Sequence, residues 1–151
     1  MIDTFDRNIL RILQSDGRIT NRELAERCRL SPAATHERFK RLQERGYIKG
    51  FAALLDPEKL ERALLIFVEV VLDRTTGDVF EAFAEAVRRT PEIMECHMVA
   101  GGFDYLIRAR VQDMAAYRAF LGETLVTMPG VRETRTYAVL EEVKTTTQLP
   151  I

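Results

Sequence analysis

The residues best placed to do chemistry lie in two short stretches. From Ser31 to Arg45 the chain reads SPAATHERFKRLQER. Ser31 followed by Pro32 has the form of an N-cap with proline at the first helical position. At helical spacing Thr35, Phe39 and Leu42 fall at i, i+4 and i+7 and are expected to pack inward, leaving Ala33, Ala34, His36, Glu37, Arg38, Lys40, Arg41 and Arg45 on the outer side. Such a face suits a polyanion. Small first-turn residues admit base edges, Arg38, Lys40 and Arg41 can reach bases or phosphates, and the amides near Ser31 can hold a phosphate. The alternative is a solvated basic face on a protein-interaction helix. His36 reads as a polar contact to DNA or solvent rather than as a pH switch.

The second stretch is Ala100-Gly101-Gly102-Phe103-Asp104-Tyr105. As a plain β-hairpin, the paired glycines supply the backbone angles that the turn demands. As a binding site, exposed glycine amides meet the carboxylate of a small zwitterion and Asp104 meets its ammonium. Both readings stand on the residues alone. Catalysis finds no support: the chain has no GxxxxGK loop, GxSxG elbow or HExxH pair, and its two histidines fall in the basic helix and in an expected strand. With only Cys28 and Cys96 there is neither a disulfide framework nor a four-cysteine metal site, and Cys96 beside His97 is a weak metal hint.

The elements that must position these stretches follow from periodicity. Phe5, Ile9, Leu10, Ile12 and Leu13 form a helical stripe between Asp3 and Gln14. Thr20 and Glu23 have capping-box spacing and open a second helix, Asn21 to about Cys28, that buries Leu24, Ala25 and Cys28. A third helix from Pro32 to Arg45, stopped by Gly46, completes a helix-turn-helix whose last helix fits the major groove.

The run Tyr47 to Leu55 reads as a hinge strand ending at Asp56 and Pro57. Beyond it the spacing predicts a strand over Leu64–Leu72, a helix over Asp78–Arg89, strands at about Glu95–Ala100 and Tyr105–Val111, a helix over Ala115–Val126 and a strand over Arg132–Leu140. This βαββαβ order is that of a ferredoxin-like fold, so the chain is α+β: a helix-turn-helix domain over residues 1–49, a hinge strand and linker over 50–61 and a ferredoxin-like domain over 62–151. Pro91, Ile93, Glu95 and Ala100 recur at a constant offset as Pro129, Val131, Glu133 and Ala138, an internal pseudo-repeat. The Leu64–Leu72 strand is apolar on both faces, and a second copy of the chain is the economical cover for the face the helices leave open, although Arg108 and Arg110 weigh against it.

A net charge of −1 conceals an asymmetry. Residues 1–49 carry eleven Lys/Arg against seven Asp/Glu, or +4, while residues 50–151 carry eleven against sixteen, or −5. The excess points to a polyanion partner for the N-terminal part alone. No apolar run approaches the ~18 residues that span a bilayer, and Met1–Asp3 open no basic-then-apolar leader, so the cytoplasm is the expected compartment.

With these residues in place, the whole chain resembles the leucine-responsive regulatory protein/AsnC (feast/famine) family of transcriptional regulators. The likeness is carried by DRNIL at Asp6–Leu10, DGRIT at Asp16–Thr20, LSP at Leu30–Pro32, ERGYIKGF at Glu44–Phe51 and FVEV at Phe67–Val70. ECHMVAGGFDYL at Glu95–Leu106, DMAAYRAFLGETL at Asp113–Leu125 and PGVRETRTYAVLEEVK at Pro129–Lys144 are similar to its leucine-responsive members most of all. The resemblance implies double-stranded DNA as a partner, an amino-acid effector with no other cofactor, and homodimers assembling into octamers or higher forms. It further implies an effector site between subunits beside the hairpin, at positions matching Met98, Gly101, Gly102, Asp104, Met114, Tyr137, Ala138 and Val139. Two departures mark this chain: Gly102 stands where relatives commonly have Asp, removing one carboxylate from the effector site. Ala34, Thr35 and His36 differ from the relatives' recognition helix, implying a different operator. A nucleoid-like architectural DNA binder and an enzyme on the ferredoxin-like half are the rival readings.

Overall fold

Three polar side chains start the helices of the N-terminal unit. Asp3 accepts a hydrogen bond from the Asp6 amide at 2.8 Å and closes a capping box on α1 (Thr4–Ser15). Thr20 and Glu23 form the expected box on α2 (Asn21–Cys28), and Ser31 caps α3 (Pro32–Glu44) through the Ala34 amide. Arg29, at φ 54°, makes the left-handed turn between α2 and α3. The computed structural model describes residues 1–151 and divides into two units, Met1–Leu54 with Lys144–Ile151, and Leu55–Val143.

Ile9, Leu24, Cys28 and Leu42 are buried where the three helices meet, and a large-to-small change at such a position costs about 2–5 kcal/mol. Thr35 is buried as expected, its hydroxyl donating to the Ser31 carbonyl at 3.0 Å. Phe39 is only half-buried and stacks on Phe51, with ring centroids 6.4 Å apart.

One expectation needs correction in this unit. Tyr47–Leu55 forms no strand: the Tyr47 and Ile48 amides donate to the Leu42 carbonyl, and the residues that follow find no neighbouring strand to pair with. In space Lys144–Ile151 pack with the N-terminal unit. The Gln14 side-chain amide pairs both ways with Leu149, donating to its carbonyl at 3.1 Å and accepting from its amide at 2.6 Å. Polar side chains that bond to backbone in this way leave no trace in a hydrophobic pattern.

The second unit has the expected βαββαβ order: β1 (Leu64–Leu72), α4 (Gly77–Arg88), β2 (Ile93–Met98), β3 (Tyr105–Val111), α5 (Met114–Phe120) and β4 (Val131–Ala138). Its strands align β2-β3-β1-β4, antiparallel throughout. The pseudo-repeat is structural, since Ile93 and Val131 each open a strand. The helix expected over Ala115–Val126 changes character, α5 giving way to a π-helical turn over Leu121–Leu125.

Ile66, Val68 and Val70 of β1 and Tyr105, Ile107 and Ala109 of β3 point toward Phe83, Phe120 and Leu125, forming the buried core. On the opposite sheet face Phe67, Glu69 and Val71 stay half-buried, flanked by the Arg108–Glu95 pair at 2.9 Å and the Arg110–Glu142 pair at 2.7 Å. Ion pairing explains how two arginines are accommodated on a strand of that face.

Candidate nucleic-acid interface and effector site

Helix α3 presents one exposed ridge. Ala33, His36, Glu37, Lys40 and Glu44 fall on it at successive turns, with the capping Ser31 at its start and Arg45 just beyond its end, all exposed, while Ala34 is half-buried. Lys40 lies 3.7 Å from Glu44, a distance and exposure at which an ion pair is easily exchanged for another partner.

Arg38 and Arg41 do not share that ridge, which corrects their expected outward placement. Arg38 Nη1 donates to Asp6 Oδ1 at 2.8 Å and to Asp3 Oδ2 at 2.7 Å, and its guanidinium lies 5.4 Å from the Phe5 ring centroid. Arg41 Nη2 donates to both oxygens of Asp6, at 3.2 and 3.3 Å. The Asp6 side chain is 5% exposed, against 24% for Arg38 and 38% for Arg41. The hydrogen bond from the Asp6 amide, together with Arg38, holds the Asp3 carboxyl below its ordinary value, and Asp3 and Asp6 raise the Arg38 guanidinium. A carboxylate as buried as that of Asp6 costs about 3–5 kcal/mol when its cations are removed.

Asp6 was not among the expected functional residues, although the signal was present. Asp6, Ile9 and Leu13 share one helical stripe, so a lone carboxylate interrupts the apolar face of α1 and must find a cation there.

The expected effector residues form two groups at opposite ends of the sheet. The hairpin Val99–Asp104 lies where the Asp104 amide donates to the Val70 carbonyl, and Met98 pairs with Tyr105 beside it. Tyr137 and Ala138 pair instead with Phe67 and Ile66, the Val139 amide donates to Leu65, and Met114 follows the strand end that pairs with Leu64. Along β1 the anchor at Val70 lies three residues from Phe67 and five from Leu65, roughly 10 to 16 Å at strand rise, and of the second group the Tyr137 hydroxyl reaches back to Glu69. A shallow cleft of about 90 Å³ at the hairpin end, lined by Glu69, Val71, Phe103 and Arg132–Arg135, includes only Gly102 of the expected set.

Three details revise the hairpin. Neither Gly101 nor Gly102 has a positive φ, so neither supplies the unusual turn angle expected of it. A Cβ on either would meet nothing within 4 Å. Asp104 Oδ2 accepts the Leu72 amide at 2.7 Å, which commits one oxygen of that carboxylate to the fold. Tyr137 donates to Glu69 Oε1 at 3.1 Å, and this acceptor pushes its phenol up. Cys96 and His97 point to opposite sheet faces as strand neighbours must, Cys96 half-buried with its thiol pushed up to about 11 and His97 out toward Glu95.

Residues 2–49 match the family described as "Winged helix-turn-helix DNA-binding", and residues 65–149 match "Lrp/AsnC ligand binding domain". The chain is 55% identical over 150 residues to the leucine-responsive regulatory protein of Escherichia coli K12, covering 99% of this chain and 92% of that protein. The chain belongs to the Lrp/AsnC family of transcriptional regulators. The Klebsiella pneumoniae leucine-responsive regulatory protein matches at the same identity and coverage. Among solved structures, the Neisseria meningitidis regulator NMB0573 in complex with L-Met superposes with a TM-score of 0.95 at 41% identity, covering 99% of this chain and 97% of that one. An AsnC family regulator from Agrobacterium tumefaciens gives 0.94 at 34%, over 99% and 97% of the two chains. This Lrp/AsnC member is thus a transcriptional regulator with a helix-turn-helix DNA-binding domain and a ligand-binding domain, and not an enzyme. No helix is long and apolar enough to cross a membrane.

Proposed function

We propose that this Lrp/AsnC regulator reads double-stranded DNA with the exposed ridge of α3 and answers to a small amino acid bound between subunits. On the DNA side, Ala33 and Ala34 allow close approach, His36, Glu37 and Lys40 face base edges or phosphates, and Ser31 and Arg45 bracket the ridge. On the effector side, the hairpin group of one chain (Met98, Gly101, Gly102, Asp104) meets the Met114, Tyr137, Ala138 and Val139 group of another.

The observation that carries this reading is the separation of those two groups along one sheet. Residues that share a ligand but lie roughly 10 to 16 Å apart along one strand come together when a second copy supplies the missing end. The hairpin glycines fit the same reading: with no angle and no crowding in their own chain requiring glycine, they leave room and free amides for a ligand's carboxylate. Exposed Met98 and Met114 favour an apolar amino acid, and the Neisseria relative's complex with L-Met belongs to that class. Homodimers present two α3 ridges to successive major-groove half-sites, dimers join into octamers or higher forms, and the effector biases that assembly by about 1–3 kcal/mol.

Fluorescence anisotropy on a duplex selected by the protein from a random library, repeated with each of the twenty amino acids while sedimentation follows oligomer size, tests the proposal. At least one apolar amino acid shifts both readings together. Identical affinity and size with all twenty would remove the effector and leave an architectural DNA binder.

A further inference from the structure

We infer that Asp6 is a positioning residue for DNA reading: its buried carboxylate ties Arg38 and Arg41 to the first helix, so these cations set the orientation of α3 instead of contacting phosphate. Asp6 belongs to the first helix and the arginines to the third. Apolar packing of Ile9 and Leu42 holds these helices together but is not directional. Charge-assisted hydrogen bonds are directional, and those from Arg38 and Arg41, one turn apart, fix rotation of α3 about its own axis. That rotation decides which residues face the groove, because a single residue step along a helix turns it by about 100°. Asp3 adds a second acceptor for Arg38, so two carboxylates face two guanidiniums and the cluster is neutral by itself. The +4 excess of residues 1–49 is then carried entirely by cations outside the cluster, Lys40 and Arg45 among them.

This inference rests on the α3 ridge as the reading face, and the two fail separately. Salt titrations of anisotropy, with the selected duplex and a scrambled duplex of equal length, are run on the full-length protein and on Lys40→Ala, Arg38→Gln, Arg41→Gln and Asp6→Asn, with circular dichroism as the check on folding. Lys40→Ala lowers the slope of log affinity against log salt by about one, as loss of a phosphate contact does; an unchanged slope there counts against the ridge, not the clamp. Arg38→Gln and Arg41→Gln weaken binding to the selected duplex about ten-fold or more while leaving that slope unchanged. Asp6→Asn lowers the preference for selected over scrambled duplex about ten-fold and steepens the slope by one to two, as the released arginines find phosphates. A slope reduced by about one in either arginine variant overturns the inference, as does a folded Asp6→Asn protein with unchanged preference. Should Asp6→Asn fail to fold, the arginine slopes decide.

Discussion

Asp104 serves two masters, and its two oxygens separate them. Oδ2 accepts the Leu72 amide at 2.7 Å and so holds the hairpin against the end of β1, while in the proposed site Oδ1 is the oxygen that meets the effector's ammonium. The two roles respond differently to substitution. Asp104→Asn keeps an oxygen for the Leu72 amide and removes the negative charge, whereas Asp104→Ala removes both. Thermal melts are expected to show Asp104→Asn within a degree or two of the native protein and Asp104→Ala lower by about 1–2 kcal/mol, the cost of a part-buried amide left without its acceptor. Effector binding by calorimetry should be lost in both. Retained binding in Asp104→Asn would show that the ammonium is met elsewhere, with Glu69 and Glu133 in the neighbouring cleft as the carboxylates to examine next.

Between elements, Gly130 is the tightest junction in the C-terminal domain. It joins the end of the π-helical turn region to β4 at φ +75°, a Cβ there would run into Val79 Cγ1, and its carbonyl accepts the Asp73 amide at 2.8 Å. Gly130→Ala meets both a disfavoured backbone angle and a packed neighbour, and is expected to lower stability by about 1–3 kcal/mol in denaturant melts, with DNA affinity in the folded fraction unchanged. The sequence does not single out Gly130, whereas other local features are legible in it. Thr20 with Glu23 and Ser31 with Pro32 marked helix starts because caps are short-range chemistry, and the apolar run of Leu64–Leu72, broken only by Glu69, marked β1 to the residue. What it hid depends on partners distant in the chain. Tyr47–Leu55 has strand composition without a neighbouring strand, and Gln14 binds Leu149 through backbone atoms that carry no residue identity. Helical spacing on α3 assigned Arg38 and Arg41 to the outside because the inward stripe of Thr35 and Leu42 is narrow. Only the three-dimensional approach of α1 reveals that the flanks of that stripe are also occupied, by Asp3 and Asp6.

At the scale of the whole molecule, the proposed division of the effector site between two groups along one sheet makes a quantitative demand. If hairpin and β4 end are contributed by different chains, a variant damaged in one group and a variant damaged in the other are each inactive alone yet complement when mixed. Asp104→Asn disables every hairpin, and Tyr137→Ala, an exposed residue on β4, disables every partner end. In oligomers formed from equal amounts of the two, each site draws its hairpin and its β4 end from independent chains, so about a quarter of sites receive an intact pair. Calorimetric titration of the co-refolded mixture with the amino acid that shifts DNA binding should recover about that fraction of native sites at native affinity. Separately assembled oligomers combined without exchange should recover none. A site contained in one chain predicts no recovery in either preparation, because every chain then carries one of the two lesions. Anisotropy on the same mixture also tests whether the few intact sites are felt by the assembly: a coupling of about 1–3 kcal/mol per site, summed over a shared oligomer equilibrium, makes the DNA response of the mixture exceed its fractional occupancy.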